Sequence, residues 1–388
     1  MGKVISRRRM KLLILACLCA TVIAAFVYRA IYAFGLSFSY GDAEVVDTTL
    51  DTAGDRLYVS YHSDNAVVEI DTATMKETRR FGVNHPSFIE LSPQGDFLYA
   101  LSHGLTCRLL RIRLSDGHMD AITLDGFVSH FCQDSPGETL WVVGGVWPAH
   151  GDLVDYQEVQ NHPGTGRITE VDASTFSITR TAVIDPIPVS VWHSSYSDCL
   201  YTLHEIRVVE VYSPEDFMSR NPVTVHERDS LEEVSEFLGG FQDLGTFPPA
   251  QLTAWDDAGR YLAIPDPLPG DPKRHKSIHV VDTGDNSVAF TLSFPWYYGA
   301  DAIGIRFAHK VPGHDVLWAV AYHGIHDESI ADHAQTAMRV NTATQEYEFF
   351  AVEGVTDHFG DFAVSPDGET LYFPVIRTGE VIVWSPPE

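Results

Sequence analysis

The chain carries 18 histidines among its 388 residues, and where they fall matters more than how many there are. Imidazoles ligate transition metals and act as bases near neutral pH, most effectively with a carboxylate beside them. When the chain is aligned on its recurring Leu-Tyr pairs, Glu44, His85 and His358 occupy equivalent places, with Asn84 and Asp357 one step before the two histidines. Converging at the mouth of a narrow channel, this set suits zinc, copper or iron with one coordination position open. It suits a histidine base oriented by a carboxylate equally well. The cofactor expected from this group is a divalent transition metal. The same alignment places His62 and His103 at matching loop positions, with His204, Glu205, His323 and His326 near the corresponding places of later units. These form an expected outer ring, although polar residues at loop mouths more often serve as ordinary hydrogen-bonding groups.

Other motifs narrow the chemistry. His323-Gly-Ile-His326, with His333 beyond it, lacks the His-Glu-x-x-His order of a zinc protease helix. No glycine-rich phosphate loop, Gly-x-Ser-x-Gly elbow or Cys-x-x-Cys-His haem site occurs, which argues against nucleotide, serine-hydrolase and cytochrome functions. Trp147, Trp192, Trp296, Tyr297 and Tyr298 are candidates to line a binding face, or to pack between structural units.

The elements that must position these residues come from internal repetition. A turn followed by a β-rich run recurs from Asp51, Ser92, Asp134, Ser195, Asp256, Val311 and Ser365, as in Ser365-Pro-Asp-Gly-Glu-Thr-Leu-Tyr. A second series of alternating strands ending in a polar turn begins at Val67, Leu109, Ile168, Val208, Ile278, Ala337 and Val381. The two series agree in number and order. Four strands per period of about 40 residues are the unit of a propeller blade, and seven such units close a ring. The predicted fold is an all-β, seven-bladed β-propeller over 37–388, with inner strands near 43–50, 84–91, 127–134, 187–194, 249–256, 301–309 and 357–364. The last unit ends after its third strand, so Leu36 to Tyr40 is the expected source of a fourth.

Leu57-Tyr-Val-Ser-Tyr-His-Ser-Asp-Asn-Ala-Val-Val-Glu-Ile-Asp-Thr-Ala-Thr and the Ser365 motif resemble the YVTN-type (Tyr-Val-Thr-Asn) β-propeller repeat family of bacterial and archaeal envelope proteins. Ser60-Tyr61 stands where that family has Thr-Asn. The resemblance implies fold and compartment only, because such propellers host many unrelated functions.

Blades 1 and 2 are minimal, so the remaining blades show what has been added. Val146 to Gly166, Pro265 to Lys276 and His323 to Gln335 are extra between second and third strands of blades 3, 5 and 6. Blade 4 carries Ser230 to Gly245 ahead of the next inner strand, and Ser230-Leu-Glu-Glu233 reads there as the capping box of a short helix ended by Gly239-Gly240. All of these connections open on one face. Insertions gathered on one rim of a rigid scaffold point to binding.

The first residues differ in kind. Lys3, Arg7, Arg8, Arg9, Lys11 and Arg29 precede any acid, and Leu12 to Tyr28 is apolar apart from Thr21. This pattern predicts a cytoplasmic basic tail over 1–11 and a signal anchor or transmembrane segment within 12–36, with everything beyond exported. Cleavage near Ala33 or Gly35 is the alternative, and lipoprotein or twin-arginine export fits the residues less well. The formal net charge of −27 at pH 7 argues against nucleic acid as a partner. It favours cationic ligands. Cys107, Cys132 and Cys199 allow one disulfide at most. Two functions are expected from these features. The first is a membrane-tethered, extracytoplasmic binding or assembly module that offers its loop-rich face to a protein or small-molecule ligand. The second is a metal-dependent lactonase, lyase or oxidase built on Glu44, His85 and His358.

Overall fold

The computed structural model describes residues 45–104, 106–146, 165–184, 187–204, 221–239, 252–266, 276–294, 302–323, 335–352, 360–376 and 378–387. Among them the strands form seven antiparallel sheets, six of four strands and one of three, all within one compact unit spanning Asp42–Glu388. This is a seven-bladed β-propeller. Inner strands run over Val45–Leu50, Pro86–Leu91, Phe127–Gln133, Pro188–Ser194, Thr253–Ala254, Ala302–Lys310 and Ala363–Val364, in the predicted places.

Burial follows position in the blade. The second and third strands of blade 1 are buried almost throughout, whereas its outer strand Lys76–Gly82 buries only Phe81 fully. Outer strands in blades 2 and 3 alternate exposed and half-buried residues, the period-two signature of a sheet face turned to solvent. Apolar clusters lie between successive blades. One joins Tyr201, Leu203 and Val223 of blade 4 to Leu262, Ile264 and Val281 of blade 5.

The recurring turn motif has a physical basis in hydrogen bonding. Asp51 Oδ1 accepts from the backbone amides of Asp55 and Arg56 at 2.8 and 3.1 Å, and Asp134 Oδ1 does the same for Glu138 and Thr139 at 2.8 and 3.0 Å. Ser92 and Ser365 use Oγ in the same role. Each such turn needs one left-handed residue, supplied by Gly54, Gly95, Gly137, Gly259, Gly313 and Gly368 at φ near +70 to +80°. Asp198 fills this place in blade 4 at φ +55°, which explains why that repeat lacks its glycine.

Neighbouring blades are also joined by a donor that reaches the turn between third and outer strands of the next blade. Arg79 donates to Leu114 O, Arg111 to Ala173 O, Arg180 to Arg228 O, Tyr201 Oη to Thr283 O, and Trp255 Nε1 to Thr342 O. The acceptor is constant while the donor varies. Blade 7 meets blade 1 directly: Asp361 N donates to Val46 O at 3.1 Å and Thr48 Oγ1 to Asp361 O at 2.9 Å. Gly360 makes this approach possible, because a Cβ there would lie 2.1 Å from Val46 O. Blade 7 has three described strands, and the expected donor of a fourth, Leu36 to Tyr40, lies outside the described residues.

Blade 4 departs from expectation twice. Its third strand is Asn221–Glu227 rather than the run from Val208, and Glu233–Gly239 is its outer strand rather than a capped helix. Ser230 to Glu232 instead belong to the connecting turn, and Glu233 starts the strand. Leu231 stands at φ +59° with its amide bonded to Glu227 O at 2.8 Å, and its side chain is buried against Trp141 and Leu200. Burial of that leucine overrides the local helix signal. The extra residues of blade 4 therefore separate its second and third strands, as in blades 3, 5 and 6. Cys107, Cys132 and Cys199 are free thiols, so the disulfide allowed by the sequence does not form. No helix of the described residues is long and apolar enough to cross a membrane, and the expected membrane segment lies outside them.

Candidate functional site

Two minimal blades bring three histidines together on the face that carries the insertions. His62 follows the second strand of blade 1, His103 follows the second strand of blade 2, and His85 directly precedes the inner strand of blade 2. The rings of His62 and His85 lie 4.8 Å apart, centre to centre. His85 is held from both sides: its amide donates to Asn65 Oδ1 at 2.9 Å, and its carbonyl accepts from His103 N at 3.0 Å. The backbone is thereby kept at φ +43°, a left-handed conformation that costs a non-glycine residue energy. His85 Nδ1 is buried without a hydrogen-bond partner.

The other two rings are fixed by their surroundings. His62 Nδ1 lies 3.2 Å from Pro86 O; a carbonyl only accepts, so that nitrogen carries the proton and Nε2 is left as an acceptor in the neutral ring. His103 Nε2 sits 2.8 Å from Ser87 Oγ and its Nδ1 3.6 Å from Cys107 Sγ. Burial pushes both His62 and His103 down to about 4, assisted for each by the neighbouring His85. Both are neutral at pH 7. Burial also raises the Cys107 thiol, so it is no activated nucleophile. Asn84 is a brace: its Nδ2 donates to His103 O at 3.2 Å and its carbonyl accepts from Ser102 Oγ at 2.6 Å.

The expected inner and outer rings are thus rearranged. His85, assigned to the inner group, stands with His62 and His103 from the outer one, because the turns of blades 1 and 2 fold over the start of the inner strand. Glu44, Asp357, His358, Glu205 and His326 lie outside the described residues. His323 closes the second strand of blade 6, opposite Ala302. His204 is no rim ligand. It is 1% exposed, and its Nε2 lies 2.6 Å from Thr224 Oγ1 and 2.9 Å from Thr202 Oγ1, in a cluster completed by His226. Trp192 likewise packs against the core between blades 4 and 5 instead of lining a face. Trp147, Trp296, Tyr297 and Tyr298 lie outside the described residues. Among the described residues no group of three or more His, Cys, Asp or Glu side chains is spaced to hold a metal ion.

A second polar group escaped the sequence reading because it sits inside the inner strands. His309 Nε2 and Asp361 Oδ1 are 2.6 Å apart, and the His309 ring stands edge-on to Phe362 at 4.7 Å. Asp47 accepts from the amides of Thr48 and Ile89, both at 2.7 Å, and burial followed by the nearby Asp361 raises its carboxyl well above the ordinary range. Burial pushes Glu90 up to about 7 and His130 down to about 4. Asp47 pairs with Ser60 and His130 with Val143, the same register position in blades 1 and 3. Aligning inner strands by that register would have exposed these residues. The group can hold or pass a proton, since burial strengthens the hold of the Asp47 carboxyl on its proton close to the Asp361–His309 contact.

No family model and no curated protein matches this chain. Its structure is similar to that of hydrazine synthase from Kuenenia stuttgartiensis, with a TM-score of 0.60 and 14% sequence identity, over 88% of this chain and 96% of that chain. The likeness shows the fold. It carries nothing about chemistry at this level of identity.

Proposed function

We propose that this protein is a membrane-anchored, extracytoplasmic binding module that takes a protein or small-molecule ligand on its insertion-bearing face. One observation carries the proposal. In blades 3 to 6 the connections between second and third strands run from Val146 to Thr165, His204 to Asn221, Asp266 to Lys276 and His323 to Gln335, against Tyr61 to Ala66 and Ser102 to Cys107 in blades 1 and 2. All open on the face where His62, His85 and His103 meet. Four consecutive blades with long connections beside two whose short connections carry hydrogen-bonding side chains are the pattern of a binding face on a rigid scaffold. His62 and His103 are neutral there, so they suit a polar ligand that both donates and accepts. The resemblance to envelope repeats and the basic, then apolar, N-terminus support export and anchoring.

Photo-crosslinking in native membranes tests this reading. A photoreactive residue at the exposed Thr106, beside the histidines, should capture a partner, and His85→Ala with His103→Ala should remove the adduct. The same group at Ser195, on an opposite-face turn, should capture none. Equal labelling from both positions would refute a one-faced binder. A second reading, enzymatic proton transfer, rests on the Asp361–His309 contact, in which the carboxylate orients the imidazole as a base.

A further inference from the structure

Between blades 5 and 6, on the side of the short turns, lies a cavity of about 540 Å³. Trp255, Tyr261 and Phe290 form its aromatic walls, Asp256 and Asp315 add carboxylates, and the turn containing Thr342 and Ala343 closes it. The molecule itself shows what such a place holds at other blade junctions. In blade 2 the Arg111 guanidinium lies over Phe97 at 5.1 Å and Phe176 at 4.7 Å, donates to Ala173 O and Ser174 O at 2.6 and 3.1 Å, and pairs with Asp120 at 2.7 Å. Arg180 repeats the arrangement over Trp141, donating to Arg228 O and Asp229 O.

The acceptor side is the same at blade 6. Asn341 Oδ1 accepts from Thr344 N at 2.8 Å as Asp172 Oδ1 does from Thr175 N at 2.7 Å, and Gln345 and Phe176 share the left-handed place that ends the turn. Thr342 and Ala343 therefore stand where blade 3 has Ala173 and Ser174. The donor side differs. Blade 2 pairs Tyr99 with Arg111 and Arg111 with Asp120, whereas blade 5 has Ala263 opposite Val280 and Val280 opposite Phe290. Among the described residues, the third strand of blade 5 thus places no cation over the Thr342–Ala343 turn. Trp255 Nε1 serves Thr342 O at 3.2 Å, and the nearby Arg260 is held by Asp282 at 2.7 Å, between Tyr196 of blade 4 at 5.5 Å and Tyr261 at 5.1 Å, and is not among the residues lining the cavity.

We propose that this cavity is a docking site for an arginine side chain presented by a protein partner. The guanidinium plane would lie against the aromatic wall, donate toward the Thr342–Ala343 turn and neutralise Asp256 and Asp315, repeating the contacts of Arg111. A planar fork fits rings and paired acceptors better than an ammonium does. The chain's net charge of −27 steers a basic partner toward it. The cavity's volume exceeds that of one guanidinium, which leaves room for the partner's adjoining chain.

Calorimetric titration of the full chain with acetyl-Gly-Arg-Gly-amide tests the assignment, with citrulline and lysine peptides and free arginine amide as comparisons. The arginine peptide should bind, and the citrulline peptide, equal in shape but uncharged, should bind about tenfold more weakly or not at all. Asp256→Asn with Asp315→Asn should weaken the arginine peptide by about tenfold, since Asn keeps the oxygen that caps the Tyr261 amide while removing charge. Circular dichroism should show both variants folded. His85→Ala should bind the peptide as the native chain does, which separates this site from the upper face. Equal affinity for the citrulline peptide, unchanged affinity in the double Asn variant, or absence of binding at millimolar peptide would overturn the proposal. Arginine amide binding as tightly as the peptide would overturn the protein partner.

Discussion

Replacing His85 with glycine should make the propeller more stable and its histidine-bearing face a poorer binder. The wild-type residue carries two costs. A non-glycine backbone at φ +43° is strained by about 1–2 kcal/mol, and a buried ring nitrogen without a partner costs about 1–3 kcal/mol. Glycine removes both, and Gly126 already occupies the matching place before the inner strand of blade 3 at φ +83°. Against this, glycine gains about 0.5–1 kcal/mol of freedom in the unfolded chain, and the half-buried ring forfeits about 1 kcal/mol of packing against His62. The net expectation is a gain of about 1 kcal/mol for His85→Gly. His85→Ala keeps the backbone strain and should fall below the glycine variant by about 0.5–1 kcal/mol. Urea unfolding midpoints at pH 7 for the three proteins measure this directly. An alanine variant as stable as the glycine variant, or a glycine variant clearly weaker than wild type, would show that His85 is not strained and that its loop was not shaped for its imidazole.

Four further expectations can be tested. His62 and His103 titrate at about 4 when folded against an ordinary 6.5; the unfolded chain binds more protons between those values, so their contribution is complete above pH 6.5 and declines as pH falls toward 4. Replacing both with Gln should flatten that part of a stability–pH profile. Glu90 acts in the opposite sense, because its folded value is raised to about 7 from 4.5. Its contribution is present below pH 4.5 and is lost as pH rises through 7, so Glu90→Gln should remove a decline seen in urea midpoints over that window. Arg111→Met should cost about 1–3 kcal/mol, since two carbonyls lose their charged donor while Asp120 keeps its contact with His118; a midpoint within error of wild type would show the blade clamp to be idle. Protease added to spheroplasts should digest the propeller and spare residues 1–11, whereas recovery of the chain in the cytosol would refute export.

Blade count and order were legible because each blade repeats two local devices that need only neighbouring residues. One is a carboxylate or hydroxyl capping a glycine turn, the other an alternating strand. Where a blade breaks its own device, the sequence misled. Ser230-Leu-Glu-Glu233 carries a helix signal, but Leu231 is buried beneath Trp141, a contact that exists only once blades 3 and 4 have packed. The true third strand of blade 4 starts at Asn221 because pairing partners, and not local pattern, decide which of two β-rich runs joins a sheet.

The histidine group shows the same division. That His62, His85 and His103 belong to one face follows from the repeat alone, since strand direction determines which connections share an end. That they meet one another depended on the fold over the inner strand, where Asn65 and the His103 amide draw His85 inward. The Asp361–His309 contact joins residues 52 apart along the chain, and the blade 5 cavity exists because Val280 stands where Arg111 stands in blade 2. By itself the sequence determined what each blade is, because turns and strands are local. Tertiary structure alone decided which side chains face each other across blade boundaries, because those distances arise only when the ring closes.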